Sequence, residues 1–208
     1  MSNKNNTEFH KQFRSCVRRL NKDTQRALGD LFDIAALRLV RLATSVAGNQ
    51  ADAEDAVQGA FSRIAAKPHL LVKADAPWPY LIRAVRNEAL RIIQKRRTSS
   101  LGEMDTQCGQ DTAEFLAQRE ETADRVQRIL RTLPKPQYEV VILKHWEDLT
   151  FAEIADVLGK SQNTVASRYR YAMEKLQRSL EPIIQFEESA AKSQSRKQSS
   201  TAPRSVTR

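Results

Sequence analysis

One segment near the end of the chain would place four polar side chains on a single helix face. They stand at i, i+4, i+7 and i+8, and they are Asn163, Ser167, Arg170 and Tyr171. Arginine can bind guanine O6 and N7 in a bidentate way, asparagine can pair with adenine, and serine can donate or accept. These residue types therefore suit the reading of base edges in the major groove. The alternative is an ordinary helical hairpin with a solvated basic face.

Basic side chains lie farther round the same helix. Arg168, Lys175 and Arg178 are suited to bind phosphates, and such contacts position a protein on DNA without specifying sequence. The predicted DNA contacts of this helix are Gln162, Asn163, Thr164, Ser167, Arg168, Arg170, Tyr171 and Lys175.

The residues just before this helix predict how it is positioned. Thr150 and Glu153 have the spacing of a capping box that opens a short helix. Gly159 follows where a tight turn needs a positive φ, and Ser161 can cap the longer helix. Two helices in this order, the second starting after a glycine turn, are typical of a helix-turn-helix.

An acidic helix earlier in the chain is a candidate protein-binding surface. Asp55 and Gln58 stand at i and i+3, so they share a face that can engage arginines of a partner helix. Asp52 and Glu54 would add negative potential that speeds docking. The alternative is an acidic first turn that complements the helix dipole, and for Asp52 alone this alternative is preferred.

Composition narrows the class of protein. Among 208 residues, 34 are Lys or Arg and 25 are Asp or Glu, for a formal net charge of +9. This excess suits a polyanionic partner. Two cysteines exclude a disulfide scaffold and favour a reducing cytoplasm. No apolar run approaches the ~20 residues of a membrane span, so no membrane insertion is expected.

The sequence contains little that indicates a catalytic or cofactor-binding site. The three histidines are scattered, neither cysteine has a partner at metal-ligand spacing, and no glycine-rich phosphate loop occurs. We therefore expect no enzyme activity, no metal and no cofactor.

The hydrophobic pattern predicts an all-α fold of two small helical domains joined by a flexible linker. Helices are predicted over about 24–47, 51–66 and 79–96, with the run PHLLVKADAPWP (68–79) as a loop between the last two. The predicted divisions are an N-terminal extension (1–23), a helical bundle (24–97), a linker (98–111), a helix-turn-helix domain (112–184) and a disordered basic tail (185–208). We call 24–97 the first block and 112–184 the second block.

The second block resembles a known family. The run LPKPQYEVVILKHWEDLTFAEIADVLGKSQNTVASRYRYAMEKLQRSL is similar to region 4 of the extracytoplasmic-function (ECF) sigma factors of bacterial RNA polymerase. Its Ser167-Arg168-Tyr169 order follows the sigma-like pattern rather than that of repressors. Ala166 departs from the pattern, because the family often has a basic residue there.

The first block resembles region 2 of the same family. The run DAEDAVQ, residues 52–58, is similar to the helix that binds the clamp coiled coil of the largest polymerase subunit. Gly59 departs from the pattern, which normally has Glu there. The core-polymerase contacts implied by this resemblance are Asp52, Glu54, Asp55, Gln58 and Phe61.

The helix predicted over 79–96 resembles the part of region 2 that opens the promoter and reads the minus-ten element. Unpaired bases are held by aromatic stacking and by hydrogen bonds to their edges, while arginines steer the backbone. The implied contacts are Trp78, Tyr80, Arg83, Arg86, Asn87 and Arg91. Trp78 and Tyr80 have an equally good alternative as core residues, and Arg91 stands where the family often has Asp.

The two resemblances together imply a sigma factor that brings core polymerase to promoter DNA. Region 4 would read the minus-thirty-five element, and an anti-sigma factor is a further partner that the resemblance suggests. The alternative is a stand-alone helix-turn-helix regulator that binds a palindromic operator as a dimer.

Overall fold

The computed structural model describes the backbone of residues 2–99 and 128–199 and the side chains of 6–98 and 128–181. Every regular element in these residues is a helix, which confirms the predicted all-α class. The helices are α1 (Ser2–Arg19), α2 (Thr24–Ala47), α3 (Gln50–Ala66), α4 (Pro68–Val72), α5 (Pro77–Ser99), α6 (Lys135–His145), α7 (Phe151–Leu158) and α8 (Gln162–Ser199), with a helical turn over 128–131 before α6.

Helices α2 and α3 begin and end where local chemistry dictates. The Asp23 side chain accepts a hydrogen bond from the Arg26 amide at the start of α2. Gly48 then ends α2 with a left-handed φ of 89° and donates its amide to Thr44. Asn49 caps α3 by accepting from the Asp52 amide. These caps confirm the two helices predicted over 24–47 and 51–66.

The loop predicted over 68–79 is wrong in part, because α4 occupies Pro68–Val72 and the next helix already begins at Pro77. Pro68 stands at the first helical position, where its missing amide costs nothing. Leu71 is fully buried, so packing holds this short helix in place. Helix α5 begins at Pro77 and runs through Ser99, so the predicted linker of 98–111 starts inside a helix, and its residues from 100 onward lie outside the described part.

Helix α1 belongs to the first block, although the sequence assigned the segment 1–23 no role. The buried side chains of α1 and of the residue just after it recur at helical spacing and are Phe9, Phe13, Cys16, Val17 and Leu20. They join the same hydrophobic core as α2, α3 and α5. The first block is therefore a bundle to which the N-terminal helix contributes core.

The second block contains the predicted helix-turn-helix in α7 and α8. Its own small cluster consists of Leu130, Leu133, Val141 and Ala172. Other buried apolar side chains of the second block, including Val140, Leu143 and Ile154, belong to the same core cluster as those of the first block. Contacts of α7 with α5 and of α6 with α2 place the two blocks against each other.

The backbone of α8 continues as helix through Ser199, whereas the sequence predicts a disordered tail from 185. Residues 200–208 lie outside the described part. No helix of the described residues is both long and apolar enough to cross a bilayer.

Candidate nucleic-acid interface

The helix-turn-helix is fixed by local hydrogen bonds at both of its helix starts. The Thr150 amide donates to Glu153 Oε2 over 2.8 Å, and the Glu153 amide donates to Thr150 Oγ1 over 3.2 Å. This reciprocal pair is the predicted capping box of α7. Ser161 Oγ accepts from the Thr164 amide over 3.2 Å and caps α8 in turn. The caps set the direction in which α8 leaves the turn.

Gly159 makes the turn between the two helices. Its φ of 62° lies in the left-handed region, which costs a side-chain-bearing residue free energy. Its amide donates a hydrogen bond to the Ala155 carbonyl, which closes the C-terminal end of α7. Ala155 and Val165 are buried on the facing helices, as the pattern predicts. The turn and this contact hold α8 across α7 in the helix-turn-helix arrangement.

Tyr169 fastens α8 to α6 and α7. Its hydroxyl lies 3.0 Å from His145 Nε2, and the two rings stack with centroids 5.7 Å apart. The Phe151 ring contacts Tyr169 edge-on, with centroids 5.3 Å apart. Tyr169 faces inward, so the opposite face of α8 is turned toward solvent.

That outward face carries the predicted base-reading residues. Asn163, Arg170 and Tyr171 are exposed and Ser167 is half-buried. The Arg170 guanidinium lies 5.0 Å from the Tyr171 ring centroid, within cation–π range. Its Nε is also 4.0 Å from Glu174 Oε1, an exposed contact that contributes little. The arrangement leaves Arg170 with donors to offer to a base.

Two other predicted contacts of α8 already have partners within the chain. Lys175 Nζ donates to the Thr132 carbonyl over 2.6 Å, where it satisfies the end of the helical turn before α6. The Thr164 hydroxyl lies 2.8 Å from Ser161 Oγ within the α8 cap. Both residues have a structural function besides any contact to DNA. Gln162 is exposed and Arg168 is half-buried beside them.

The predicted minus-ten residues on α5 do not form one surface. Arg83 and Asn87 are exposed and Tyr80 is half-buried. Trp78 is only 3% exposed, and Phe9 and Phe13 contact its ring edge-on, with centroids 4.8 and 5.1 Å away. Of the two interpretations of Trp78, the structure therefore favours the core residue.

Arg86 and Arg91 are both paired with carboxylates. Arg86 Nη2 lies 3.3 Å from Glu139 Oε2, and the two side chains are 16% and 10% exposed. Arg91 binds Glu88 on its own helix. Arg63 of α3 reaches Glu88 as well, so one nearly buried carboxylate holds two guanidinium groups. Glu139 offsets the charge of Arg86, whereas Glu88 is shared by two arginines, so the cluster of Arg63, Glu88 and Arg91 keeps a net positive charge.

Gly59 explains how Glu88 fits between the helices. A Cβ built on Gly59 would lie 3.0 Å from Glu88 Cγ and 3.1 Å from its Cδ. The absence of a side chain on α3 therefore makes room for the acid of α5. Glu88 was missed from the sequence, yet it stands at i+7 from Leu81 and i+3 from Val85, the spacing of the buried stripe.

The acidic face of α3 is partly engaged within the first block. Asp52 Oδ2 accepts from Arg96 over 2.6 Å and from Asn49 over 2.8 Å. Glu54 bonds Gln50 over 2.7 Å on the surface. Asp55 and Gln58 are exposed, and among the described residues neither has an ion pair or side-chain hydrogen bond. These two residues are the ones open to a partner.

Phe61, the last predicted polymerase contact, is 8% exposed. Its ring packs edge-on against Phe32 of α2, with centroids 5.1 Å apart. Phe32 remains 39% exposed beside it, so an apolar edge continues the polar face of α3.

A further group that the sequence did not indicate lies where the two blocks meet. Glu147, just after α6, is buried, and this burial raises its pKa. The nearby charge of Arg38, the Trp78 indole and the charge of Arg41 oppose the shift without cancelling it. Arg38 also lies over the Phe9 ring, 4.1 Å from its centroid.

In the described parts of the chain, no group of histidines, cysteines and acids has the arrangement of a metal site.

Comparison with known proteins defines the class to which this fold and this surface belong. Residues 31–99 match the family Sigma-70 region 2, and residues 123–176 match Sigma-70, region 4. The chain is therefore a sigma factor, a subunit that directs bacterial RNA polymerase to promoters. The presence of both regions in this order does not favour a stand-alone regulator.

Relatives specify the subfamily. The RNA polymerase sigma-E factor of Streptomyces avermitilis is 31% identical over 145 residues, covering 69% of this chain and 79% of the relative. The ECF RNA polymerase sigma factor SigW of Bacillus subtilis is 23% identical over 181 residues, 80% of this chain and 96% of SigW. The chain belongs to the ECF sigma factors.

Solved structures agree on the fold. Sigma factor RpoE from Bartonella quintana, in complex with the anti-sigma factor NepR, superposes with a TM-score of 0.54 at 20% identity. The match covers 72% of this chain and 94% of RpoE. Sigma factors bind core polymerase and promoter DNA and have no catalysis of their own, which fits the exposed polar faces described above.

Proposed function

We propose that the exposed face of α8 reads the minus-thirty-five element in the major groove. The observation that carries this proposal is the shared outward face of Asn163, Ser167, Arg170 and Tyr171, presented by a fully capped helix-turn-helix. The N-terminal part of a recognition helix is the part that reaches base edges, and this face lies there. Arg168 sits beside it and grips phosphate.

The exposed side of α5 captures the minus-ten element. Arg83 and Asn87 offer a charge and an amide to unpaired DNA, and the half-buried Tyr80 offers a ring. Trp78 supports this surface from within the core. Arg91, held by Glu88, contributes to the surrounding potential rather than to a specific contact.

Helix α3 binds the core polymerase through Asp55 and Gln58. Charged residues at a rim increase association rates and fix the register of docking. Asp52, Glu54 and the Phe61 edge frame this contact. Because core polymerase carries the catalytic site, the chain itself catalyses no covalent step of transcription. It works in the cytoplasm, where the polymerase is found.

The two DNA contacts act together. Each surface is small, and joining them in one chain makes the second contact intramolecular, so its effective concentration is high. The free chain should therefore bind duplex DNA weakly, and specificity should emerge in the complex with polymerase.

Transcription from a randomised promoter library, with purified chain and bacterial core polymerase, tests the proposal. The expected result is a set of selected templates that share two separated sequence elements. Core polymerase without the chain is the control. Selection of no elements above this control, together with dimeric binding of the chain alone to an inverted repeat, would show a stand-alone regulator instead.

A further inference from the structure

We propose that the outer face of α1 is a further DNA-binding surface, which holds the phosphates of the promoter duplex beside the minus-ten element. This basic face consists of Lys11, Arg14 and Arg18, with Lys22 in the turn that follows α1. Because α1 precedes residues 31–99, the part that matches region 2, the basic face is an addition to that region. Its place on the promoter rests on the proposed binding of minus-ten DNA by α5.

Helical spacing brings the basic residues of α1 to one side. Lys11, Arg14 and Arg18 stand at i, i+3 and i+7, so at about 100° per residue they fall within a sector of about 60°. The buried Phe9 and Phe13 project from the opposite side of the helix. All three basic side chains are exposed, and the basic face is therefore turned away from the core.

The charges of the basic face are not balanced within the chain. The stretch 9–22 contains five Lys or Arg residues and no Asp or Glu. Of the five, only Arg19 has an ion pair among the described residues. Glu8, one turn before the basic face, accepts a hydrogen bond from Gln12 and not from Lys11. Four cations are therefore left for an anion outside the chain.

Helix stability explains only part of this pattern. Cations in the last turn of a helix complement its dipole, which accounts for Arg18 and Arg19. Lys11 and Arg14 lie before the last turn, where the effect of the dipole has faded. Their charge has no structural function in the first block, and an external polyanion gives it one.

The basic face lies next to the helix that is proposed to hold minus-ten DNA. The Trp78 ring, in the first turn of α5, is 4.8 Å from the Phe9 ring and 5.1 Å from the Phe13 ring. Arg83 follows Trp78 by about 8 Å along α5, at ~1.5 Å per residue. Helix α1 also contacts α4, after which Lys73 is exposed. A duplex that enters the minus-ten site is therefore within reach of the long side chains of α1.

A phosphate backbone fits the basic face better than a protein surface does. Duplex DNA carries one negative charge per ~1.7 Å of its axis, so the ~10 Å from Lys11 to Arg18 faces about six charges. Phosphate contacts suit long side chains that have no internal partner. Protein interfaces are instead built around apolar anchors, and the described part of α1 exposes no large hydrophobic side chain.

Binding of the full chain to a fluorescent duplex of random sequence, followed by anisotropy over a salt series, tests the basic face without polymerase. Lys11→Gln combined with Arg14→Gln removes two charges outside the last turn, so α1 should persist, as circular dichroism will check. We expect weaker binding at low salt. The slope of log affinity against log salt should become less steep by about 0.9 for each lost contact, up to about 1.8.

Two control variants separate the basic face from net charge. Lys11→Arg combined with Arg14→Lys keeps both charges and should keep the slope. Arg41→Gln combined with Arg131→Gln removes two charges from exposed positions that have no ion pair in the described structure, and it should keep most of the slope. Equal losses for the two glutamine pairs would overturn the proposal, as would an unchanged slope for a folded Lys11→Gln, Arg14→Gln chain.

Promoter complexes of the chain with core polymerase locate the contact. A methylphosphonate replaces a charged phosphate oxygen by a methyl group, so a scan along the duplex beside the minus-ten element finds the phosphates that matter. We expect positions that weaken the complex of the unchanged chain but not that of the Lys11→Gln, Arg14→Gln chain. Identical scans for both chains would overturn the promoter contact. If the unchanged chain forms no specific complex, the proposed function fails, and the salt series still decides whether α1 binds DNA.

Discussion

Arg170 is the residue on which base reading by α8 depends most, because it is exposed and its planar donors match guanine. We expect Arg170→Ala to cost about 1–3 kcal/mol of promoter binding at one base position and to relax the preference there. Transcription from single-base variants of the selected promoter measures this pattern.

Arg178→Ala on the same helix is the matched control for Arg170. Arg178 is exposed farther from the start of α8, so its loss should weaken all promoters to a similar and smaller extent. An equal loss on every template for Arg170→Ala would assign Arg170 to phosphate contact instead.

Gly59 and Gly29 offer a matched pair for measuring how tightly Glu88 is held. Both lie inside helices, where Gly→Ala normally stabilises by about 0.5–1 kcal/mol. A Cβ on Gly29 meets nothing within 4 Å, whereas one on Gly59 meets Glu88 at 3.0 Å. We expect Gly29→Ala to raise the free energy of unfolding. Gly59→Ala should lower it, because crowding against Glu88 costs about 1–3 kcal/mol.

Chemical denaturation of the two alanine variants measures this difference. Equal stabilisation by both substitutions would show that Glu88 moves aside freely and that its two arginine contacts are dispensable. Adding Glu88→Ala to Gly59→Ala should remove the crowding but leave Arg63 and Arg91 without their acid.

At the scale of elements, α1 is the unexpected component, and its anchor is Phe13. This ring is 1% exposed and contacts both Phe9 and Trp78. We expect Phe13→Ala to lower the free energy of unfolding by about 3–5 kcal/mol, since the cavity would open in the core of the first block. Lys11→Ala, exposed on the same helix, should change it by less than about 0.5 kcal/mol.

Thermal or urea unfolding distinguishes a core helix from an appendage. If Phe13→Ala unfolds at the same denaturant concentration as the unchanged chain, α1 contributes nothing to the bundle. A large loss would place residues 1–23 within the first block in solution as well.

The helix-turn-helix could be predicted because its signals are local. Thr150, Glu153, Gly159 and Ser161 all act within a few residues of their own position, and each one does in the structure what its spacing predicts. Helices α2 and α3 are bounded by equally local caps. Short α4 was missed because a five-residue helix shows no periodicity and depends on the burial of Leu71.

Long-range pairing accounts for what the sequence could not show. Arg86 and Glu139 are 53 positions apart, and nothing in either local pattern indicates that they meet. Trp78 was ambiguous and Glu88 was missed for the same reason, since their surroundings come from other helices. The helical spacing was sufficient to predict that these polar side chains of α8 share one face. The contacts that they make to DNA remain predictions.

At the scale of the whole molecule, Glu147 links stability to pH. Its pKa is raised in the folded chain, so the folded state binds the proton more tightly than the unfolded state. The free energy of unfolding should therefore fall as pH rises from the ordinary glutamate pKa through the raised one. Glu147→Gln cannot ionise and should not show this fall.

The difference in unfolding free energy between the two chains, measured across this pH range, isolates Glu147. Burial and the charges of Arg38 and Arg14 lower the pKa of His10. Because His10 is present in both chains, its contribution to the difference largely cancels. Parallel pH profiles for the two chains would show that Glu147 is solvated, as it would be if the blocks were apart.

Assembly with polymerase depends on the exposed part of α3. Asp55 projects from the helix without an ion-pair partner among the described residues, so charge reversal there removes an attraction without breaking an internal contact. We expect Asp55→Arg to reduce capture of core polymerase by tenfold or more, about 1.4 kcal/mol per factor of ten.

Asp33→Arg, at an exposed position of α2, makes the same charge change away from α3 and should leave capture near that of the unchanged chain. Competition for a limiting amount of core enzyme, read by co-purification, compares the three chains directly. Equal capture by all three would remove Asp55 from the polymerase interface, whereas equal losses for both variants would mean that net charge, and not the face of α3, controls docking.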